Sequence, residues 1–439
     1  MPEFEKILNP VKRSIGGVFL PHLKDSSQFE TVELKYVSEV KIPLSQHIGS
    51  PAKPLVKAGD KVYVGTLIAE ETGFVSAPVH SSVSGTVKNI VKYNKTEAIV
   101  IESDGLMEKD PDLKPFSVET PEDLANAANL CGLVGLGGAG FPTRVKLTLK
   151  EETKLDTLIV NAAECEPYIT SDNRECDENI SDIIEGITLI RDVLKIENAV
   201  ICVESNKKRT IDKLFEGVCD GKSENHIKVM KLPTKYPQGA EKVLIYSATG
   251  RKVPFGKLPS DVGCLVMNVT SVATLYRFIK TGMPLVAKRL TVDGNAVKEP
   301  KNVLVPIGTS IKDLLSFVGG IDEDADEIIM GGPMMGIDVC SENDVIEKRN
   351  NAITVMKSQK NLEPTACIKC GRCASVCPMQ LYPASVEAAI KFGNTESLER
   401  LNVNYCMECG SCSFVCPANR PLTQVMRLAK AELRREKRK

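Results

Sequence analysis

Cys367-Ile-Lys-Cys370-Gly-Arg-Cys373-Ala-Ser-Val-Cys377-Pro378 recurs downstream as Cys406-Met-Glu-Cys409-Gly-Ser-Cys412-Ser-Phe-Val-Cys416-Pro417. Both runs read C-x2-C-x2-C-x3-C-P, the spacing that holds [4Fe–4S] cubanes. Three thiolates on a tight loop take three irons of one cubane. The fourth cysteine is expected to start a helix and reach the other cluster, with the following proline in the first helical turn. That crossing gives two ligand sets, Cys367, Cys370, Cys373 and Cys416 for one cluster and Cys406, Cys409, Cys412 and Cys377 for the other. A structural zinc site would use two C-x2-C pairs instead, which a triple followed by Cys-Pro, present twice, does not offer. Between the motifs, Ala384 to Phe392 and Glu396 to Leu401 read as helices. Two clusters at short range carry single electrons and do no bond chemistry, so other parts must supply and accept them.

The chain has 439 residues, more than one hydrophobic core serves, and two to four domains are expected. It holds 56 basic and 57 acidic residues and no tryptophan, so neither charge nor stacking surfaces favour nucleic acid. Residues Met1 to Gly17 lack the apolar core of a secretory signal, and no apolar stretch is long enough to span a bilayer. A soluble, cytoplasmic protein is expected, one that sits on a membrane only through a partner. Fifteen cysteines in such a chain point to metal or redox chemistry. Seven of them, Cys131, Cys165, Cys176, Cys202, Cys219, Cys264 and Cys340, are scattered and are expected to pack as small hydrophobes.

A second chemical signal is Gly135-Leu-Gly137-Gly138-Ala-Gly140-Phe141-Pro142-Thr143. It matches G-x-G-x-x-G formally, but a helix rather than a strand precedes it, with Thr120 as N-cap and Pro121 in the first position. Its glycines still expose backbone N–H groups able to cradle a phosphate, and Lys146 can complete the charge; locally, a plain turn reads almost as well. Strand Asp156 to Asn161 then runs into Ala162-Ala-Glu164-Cys-Glu166-Pro167, and polar groups beyond the carboxyl end of a buried strand are where α/β folds build sites. Helix Ser181 to Leu194, strand Ala199 to Glu204, helix Thr210 to Val218 and strand His226 to Leu232 alternate as in a parallel sheet. Tyr236-Pro-Gln-Gly239-Ala-Glu241-Lys242 opens another helix, and Gly263 to Thr270 reads as a strand.

The glycine loop, Asn161 with Glu164 and Glu166-Pro167, and Gly239 with Glu241 resemble the flavin-binding subunit of respiratory complex I and its hydrogenase relatives. The resemblance implies that Gly137, Gly138, Gly140, Lys146, Asn161 and Glu164 contact FMN, with Gly239 beside them. It implies that Phe141, Glu166 and Glu241 lie near NAD(H), the two carboxylates as the catalytic candidates. Three positions depart from that family: Ala163 and Ala240 stand where it has acids, and Leu136 where it has arginine. Ile42-Pro-Leu-Ser-Gln-His47-Ile-Gly49-Ser-Pro51, Ser76-Ala-Pro78-Val-His80 and Ile329-Met-Gly-Gly332-Pro-Met-Met-Gly336 are similar to the RnfC family of Rnf ion-translocating complexes, over nearly the whole chain.

The implied architecture is multidomain α/β. Residues 1–115 form a barrel-sandwich (lipoyl-like) module, 116–284 a Rossmann-like FMN/NADH-binding domain, 285–345 a β-grasp module, and 346–439 a helical two-[4Fe–4S] ferredoxin-like domain. The hairpin Val79-His80-Ser81-Ser82 has no modifiable lysine and reads as structural; His47 and His80 read as hydrogen-bonded core or turn residues. Asp322 to Glu327 reads as a solvated loop. Pro421 to Lys439 reads as an amphipathic helix with Leu422, Val425, Met426, Leu428 and Ala429 on its apolar side, ending either in solvent or against anionic lipid or a membrane subunit. The function implied is a peripheral subunit on the cytoplasmic face of the membrane. It would pass electrons between NAD(H), FMN and two clusters to other subunits, integral membrane and iron–sulfur ones included, and indirectly to ferredoxin. The competing readings are a cobalamin reductase of the propanediol-utilisation type and a flavin-free relay. Anaerobically purified protein should hold about eight irons, counted by a colorimetric iron assay; about two, as in a pair of zinc-type sites, would dismiss the cluster reading.

Overall fold

A computed structural model describes residues 7–150, 152–220, 226–339, 341–358 and 363–436. Cys340 and the last three residues of the basic tail lie outside the described residues.

Five strands form a parallel sheet in the order Ile7–Leu8, Ile227–Leu232, Asn198–Glu204, Thr157–Ala162, Cys264–Asn268. Both faces are apolar because both are covered. Leu158, Val160, Ile201, Val203 and Met267 pack into the main core with helices Ile180–Leu194 and Val269–Thr281. The alternate residues Ile159, Val200, Cys202, Met230 and Val266 pack against helix Glu241–Thr249 on the other side. The expected strand through Thr270 stops at Asn268, whose side chain accepts from Thr270 N and Ser271 N and so starts a helix.

The N-terminal module consists of two small antiparallel sheets. Strands Glu39–Pro43, Thr96–Ser103, Gly85–Tyr93 and Lys61–Val62 form one, and Lys53–Pro54, Leu67–Glu70 and Val79–His80 the other. His80 is buried rather than displayed on an arm, and His47 Nε2 accepts from Ala77 N at 3.1 Å, a turn role. The chain before this module serves the others: Ile7–Leu8 extends the parallel sheet, and Val32–Glu33 joins the third sheet. That third sheet pairs Ala287–Asp293 with Lys301–Pro306 as a hairpin, followed by helix Ile311–Phe317. The acidic run departs from its reading. Ala325–Met330 is a strand, and Asp322 and Asp324 both pair with Lys357.

In the C-terminal domain, helices Pro383–Lys391, Thr395–Arg400 and Leu422–Glu436 enclose a small core of Leu381, Val386, Leu398, Met426, Ala429 and Leu433. The apolar face of the last helix is therefore spent inside the domain. Leu428 departs from its expected side and is exposed, and of the scattered cysteines Cys219 is exposed and Cys165 half-buried. The fourth cysteines start no helix. The first two of the three residues between third and fourth cysteine belong to single-turn helices, Arg372–Ser375 and Ser411–Phe414, so Cys377 and Cys416 follow a helix and their prolines sit in turns.

The loop after Thr157–Ala162 has no sheet partner for its carbonyls. Lys24 Nζ supplies them, donating to Glu164 O and Glu166 O at 2.8 Å each and to Ile169 O. Lys24→Met should lower the unfolding free energy by about 3 kcal/mol, since each buried acceptor left unpaired costs roughly 1–3 kcal/mol. Urea denaturation measures it, and a loss below about 1 kcal/mol would mean that water replaces the amine.

Candidate functional site

Strands Thr157–Ala162 and Cys264–Asn268 are parallel neighbours; from the first the chain runs on to Asn198–Glu204 and Ile227–Leu232 on one side, then crosses back to the second on the other, which reverses the strand order between them. Ligands of open α/β sheets bind at such a switch point, beyond the strands' carboxyl ends. Asn161 and Asn268 stand there side by side in register. Asn161 Nδ2 donates to Gly239 O at 2.8 Å while its Oδ1 accepts from Ala163 N, which ties two of the expected site segments together. Asn268 Nδ2 donates to Asp172 at 2.7 Å. Asn268 was not singled out from the sequence; the signal for it was a capping residue at the end of a strand.

The glycine loop crosses this point. Helix Pro121–Leu130 precedes it with the expected Thr120 cap and Pro121. Gly135 N donates to Phe141 O at 2.8 Å and closes the loop. Leu136, where the flavin family has arginine, is buried in the main core. A Cβ on Gly137 would fall 2.6 Å from Asn268 Nδ2, so the backbone must approach closely there. Gly140, with φ of +66°, lies in the left-handed region that favours glycine. Gly137, Gly138 and Ala139 are exposed, and their N–H groups donate to no protein acceptor among the described residues. A Cβ on Gly138 meets nothing within 4 Å. Half-buried Phe141 follows the loop.

Of the remaining candidates, Lys146 Nζ and Glu241 form an ion pair at 2.9 Å beside the crevice. Glu164 is buried with both oxygens engaged. One accepts from Asp172 N at 2.8 Å at the start of helix Ser171–Glu178, and the other pairs with Lys207 at 3.2 Å. Burial alone would raise its carboxyl, but Lys207 and Lys24 outweigh it and hold the group ionised, below its ordinary range. Glu166 reaches residues 331–336, accepting from Met334 N at 3.0 Å. Burial pushes it up to about 7.

Cys377 joins Cys406, Cys409 and Cys412 in lining one pocket, floored by Met379, Leu381 and Met426. Arg420 donates to Thr365 O at 2.9 Å while Thr365 N donates to Ala418 O at 3.0 Å, which brings the chain before Cys367 beside that after Cys416. Among the described residues no three His, Cys, Asp or Glu side chains gather tightly enough to hold one metal ion.

Four stretches match known families: the RnfC barrel sandwich hybrid domain at residues 12–106, the Nuo51 FMN-binding domain at 129–277, the SLBB domain at 289–338 and a 4Fe-4S dicluster domain at 359–417. The RnfC-type component of the proton-translocating ferredoxin:NAD(+) oxidoreductase complex of Clostridium ljungdahlii is 41% identical, over 95% of this chain and 93% of that protein. The chain belongs to the RnfC family of ion-translocating oxidoreductase complexes. The counterpart from the Na(+)-translocating complex of Acetobacterium woodii is 39% identical over 97% of this chain and 98% of its own. The counterpart from the ion-translocating oxidoreductase complex of Rhodobacter capsulatus is 35% identical, over 99% and 86%. These similarities favour this family over the cobalamin reductases, and they make the chain one subunit of a larger complex. Among the described residues no helix is long and apolar enough to cross a membrane.

FMN and two [4Fe–4S] clusters are the cofactors of this family's domains, and the residues fit them. The free N–H groups of 137–139 and the empty space over Gly138 suit a phosphate. The donor sets suit clusters. Without metal, burial pushes the thiols of Cys406 and Cys412 up to about 11 and about 12, and such sulfurs become thiolates around a compensating cation.

Three outcomes follow from this geometry. Gly138→Val should abolish flavin absorbance in the purified protein while leaving iron content and stability intact, because the new Cβ has no protein atom within 4 Å. Full flavin occupancy in the variant would reduce the loop to a turn. Cys416→Ala should remove the EPR signal of the cluster built on the first motif, whereas loss of the second motif's cluster would refute the crossed sets. For Glu166, the folded protein keeps a proton that the unfolded chain releases at its ordinary value of 4.5. Stability should therefore fall as pH rises from that value through about 7. Glu166→Gln should flatten the fall in urea-unfolding experiments, and an unchanged slope would assign it to other groups.

Proposed function

We propose that this chain is the electron-input component of a membrane-bound complex, exchanging electrons with NAD(H) beside FMN and passing them on through its two clusters. The single observation behind this reading is that the glycine loop, with its free N–H groups, crosses the switch point of a domain that one of the cluster loops touches directly. FMN, when bound, takes a hydride's two electrons and releases them one at a time. The chain's own residues bind and orient. Gly137, Gly138 and Gly140 cradle the phosphate, with Lys146 adding charge. Asn161 and Asn268 face the ring system, and Asn161 keeps Gly239 in place. Glu164 works indirectly, holding the helix Ser171–Glu178 and the loop before it. Phe141 and Glu241 line the nicotinamide side, and Glu166 sets the loop behind it. Ala163 and Ala240 remove two hydrogen bonds that acidic residues would offer, each worth roughly 0.5–1.5 kcal/mol, so NADH should bind weakly rather than not at all.

In this reading integral membrane subunits and a further iron–sulfur subunit hold the chain on the cytoplasmic face, with ferredoxin reached through them. The thiolate sets are the crossed ones, Cys367, Cys370, Cys373 and Cys416, and Cys377, Cys406, Cys409 and Cys412. NADH should bleach the flavin of the isolated protein in a stopped-flow experiment. Glu166→Gln or Glu241→Gln should slow NADH-dependent ferricyanide reduction at least tenfold, equivalent to about 1.4 kcal/mol. A flavin-loaded, cluster-complete protein that NADH leaves oxidised would make this chain a relay.

A further inference from the structure

The two cysteine motifs have the same backbone. Lys369 and Glu408, which precede the second cysteine of each, have φ of +56° and +60°, and Gly371 and Gly410, which follow it, +76° and +81°. Each motif then makes one helical turn, Arg372–Ser375 and Ser411–Phe414. Their environments nevertheless differ, so the difference comes from placement and not from the fold of the loops.

The second motif is pressed against the flavin domain. Cys409 and Gly410 are buried, and Tyr236 Oη donates to Cys409 O at 2.6 Å. Tyr236 lies three residues before Gly239, the partner of Asn161, and its own backbone pairs with Val18 in both directions at 2.8 and 2.9 Å. On the other side, a Cβ on Gly410 would fall 2.9 Å from Met334 O, and Met334 N donates to Glu166. The tilted rings of Phe255 and Tyr405, 4.7 Å apart, add a third contact just before Cys406. Cys377, the fourth member of this set, is held from the same direction: Gly17 N donates to Val376 O at 2.7 Å.

The first motif faces outward. Cys367, Lys369, Cys370, Gly371 and Arg372 are exposed, Ile368 is 66% exposed, and a Cβ on Gly371 meets nothing within 4 Å. Its hydrogen bonds through Thr365 and Arg420 stay within the cluster domain. Between its first three cysteines the loop carries Lys369 and Arg372 and no acid, whereas Glu408 at the matching position is neutralised internally by Lys430 and Arg427.

We infer that the two cysteine sets work in a fixed order, an inner station at Cys377, Cys406, Cys409 and Cys412 contacting the flavin domain through Tyr236 and the neighbouring β-grasp module at Met334, and an outer station at Cys367, Cys370, Cys373 and Cys416 that exchanges electrons with an acidic redox protein. Tunnelling falls steeply with distance, so the set packed on the flavin domain is served first and the exposed set is the one a partner reaches. Each step oxidises one cluster by one electron and reduces the next by one; NADH supplies two, and two such steps clear them. Ile368 gives the partner an apolar contact, and Lys369 and Arg372 give it opposite charge, which steers docking. The inference rests on the flavin and crossed-ligand reading above and adds the order and the exit.

Freeze-quench EPR on the full chain after mixing with NADH tests the order. Cys370→Ala, with about half the iron, should leave the remaining cluster reduced at the wild-type rate. Cys409→Ala should leave the outer cluster in place but reduced at least tenfold more slowly. If Cys370→Ala slows the remaining cluster as much, the order is wrong. If NADH reduces nothing even in the wild type, the nicotinamide reading fails instead, and photoreduction of the bound flavin replaces NADH in the same comparison. A soluble dysprosium chelate, which needs no variant, should speed spin relaxation of the signal lost in Cys370→Ala and spare the other; equal effects on both overturn the placement. The double variant Lys369→Glu, Arg372→Glu should keep both clusters and slow electron delivery to anionic ferricyanide several-fold without slowing delivery to cationic hexaammineruthenium. Equal effects on the two acceptors would remove the acidic partner.

Discussion

Lys24 reaches across the molecule to close the loop on which every site depends. Its amine takes three backbone carbonyls of residues 164–169, groups that a strand's end otherwise leaves facing nothing. The same loop places Glu164 on the N-terminus of helix Ser171–Glu178, where Lys207 joins it. Burying one carboxylate with cations nearby is favourable only when its remaining lone pairs are filled, and here backbone N–H groups fill them. Through Asp172 the network continues to Asn268 and Thr270, and so to the glycine loop. A short N-terminal segment thereby sets the geometry at the carboxyl ends of the parallel strands.

A second consequence is that the modules are not strung out like beads. Residues 7–33 lend strands to two sheets, Ile48 N donates to Gly140 O on the glycine loop, and buried Lys348 donates to Pro78 O and Gly132 O at 2.7 and 2.8 Å. Burial lowers that lysine to about 8, a cost offset by two carbonyls that receive its protons. The barrel-sandwich module therefore acts here as a wall behind the glycine loop, with its hairpin turned inward, rather than as a carrier arm. Electron transfer benefits from such rigidity, because a rate that depends steeply on distance tolerates little relative motion.

Much of this was legible in the amino-acid sequence. The cysteine spacing specified two cubane sites, because thiolate geometry around a cubane is local and strict. Alternating apolar strands and helices between 157 and 281 specified a parallel sheet, and Thr120-Pro121 specified a helix start, since period and capping are properties of short segments. Where the sequence misled, a side chain had a competing local use: Asn268 ends its strand by capping a helix, and the residues after the third cysteines spend one turn as helix before the fourth.

Only the tertiary structure decided which groups face one another. No spacing could show that Glu164 is consumed by Lys207 and a helix terminus, that Glu166 turns to Met334, or that Lys146 meets Glu241 across 95 residues of chain. Nor could two nearly identical motifs reveal that one would be buried against the flavin domain and the other left at the surface. Local sequence fixes the chemistry a segment is able to perform. Burial, charge pairing and distance are properties of the packed chain, and they decide which of two equal loops is buried and which is exposed.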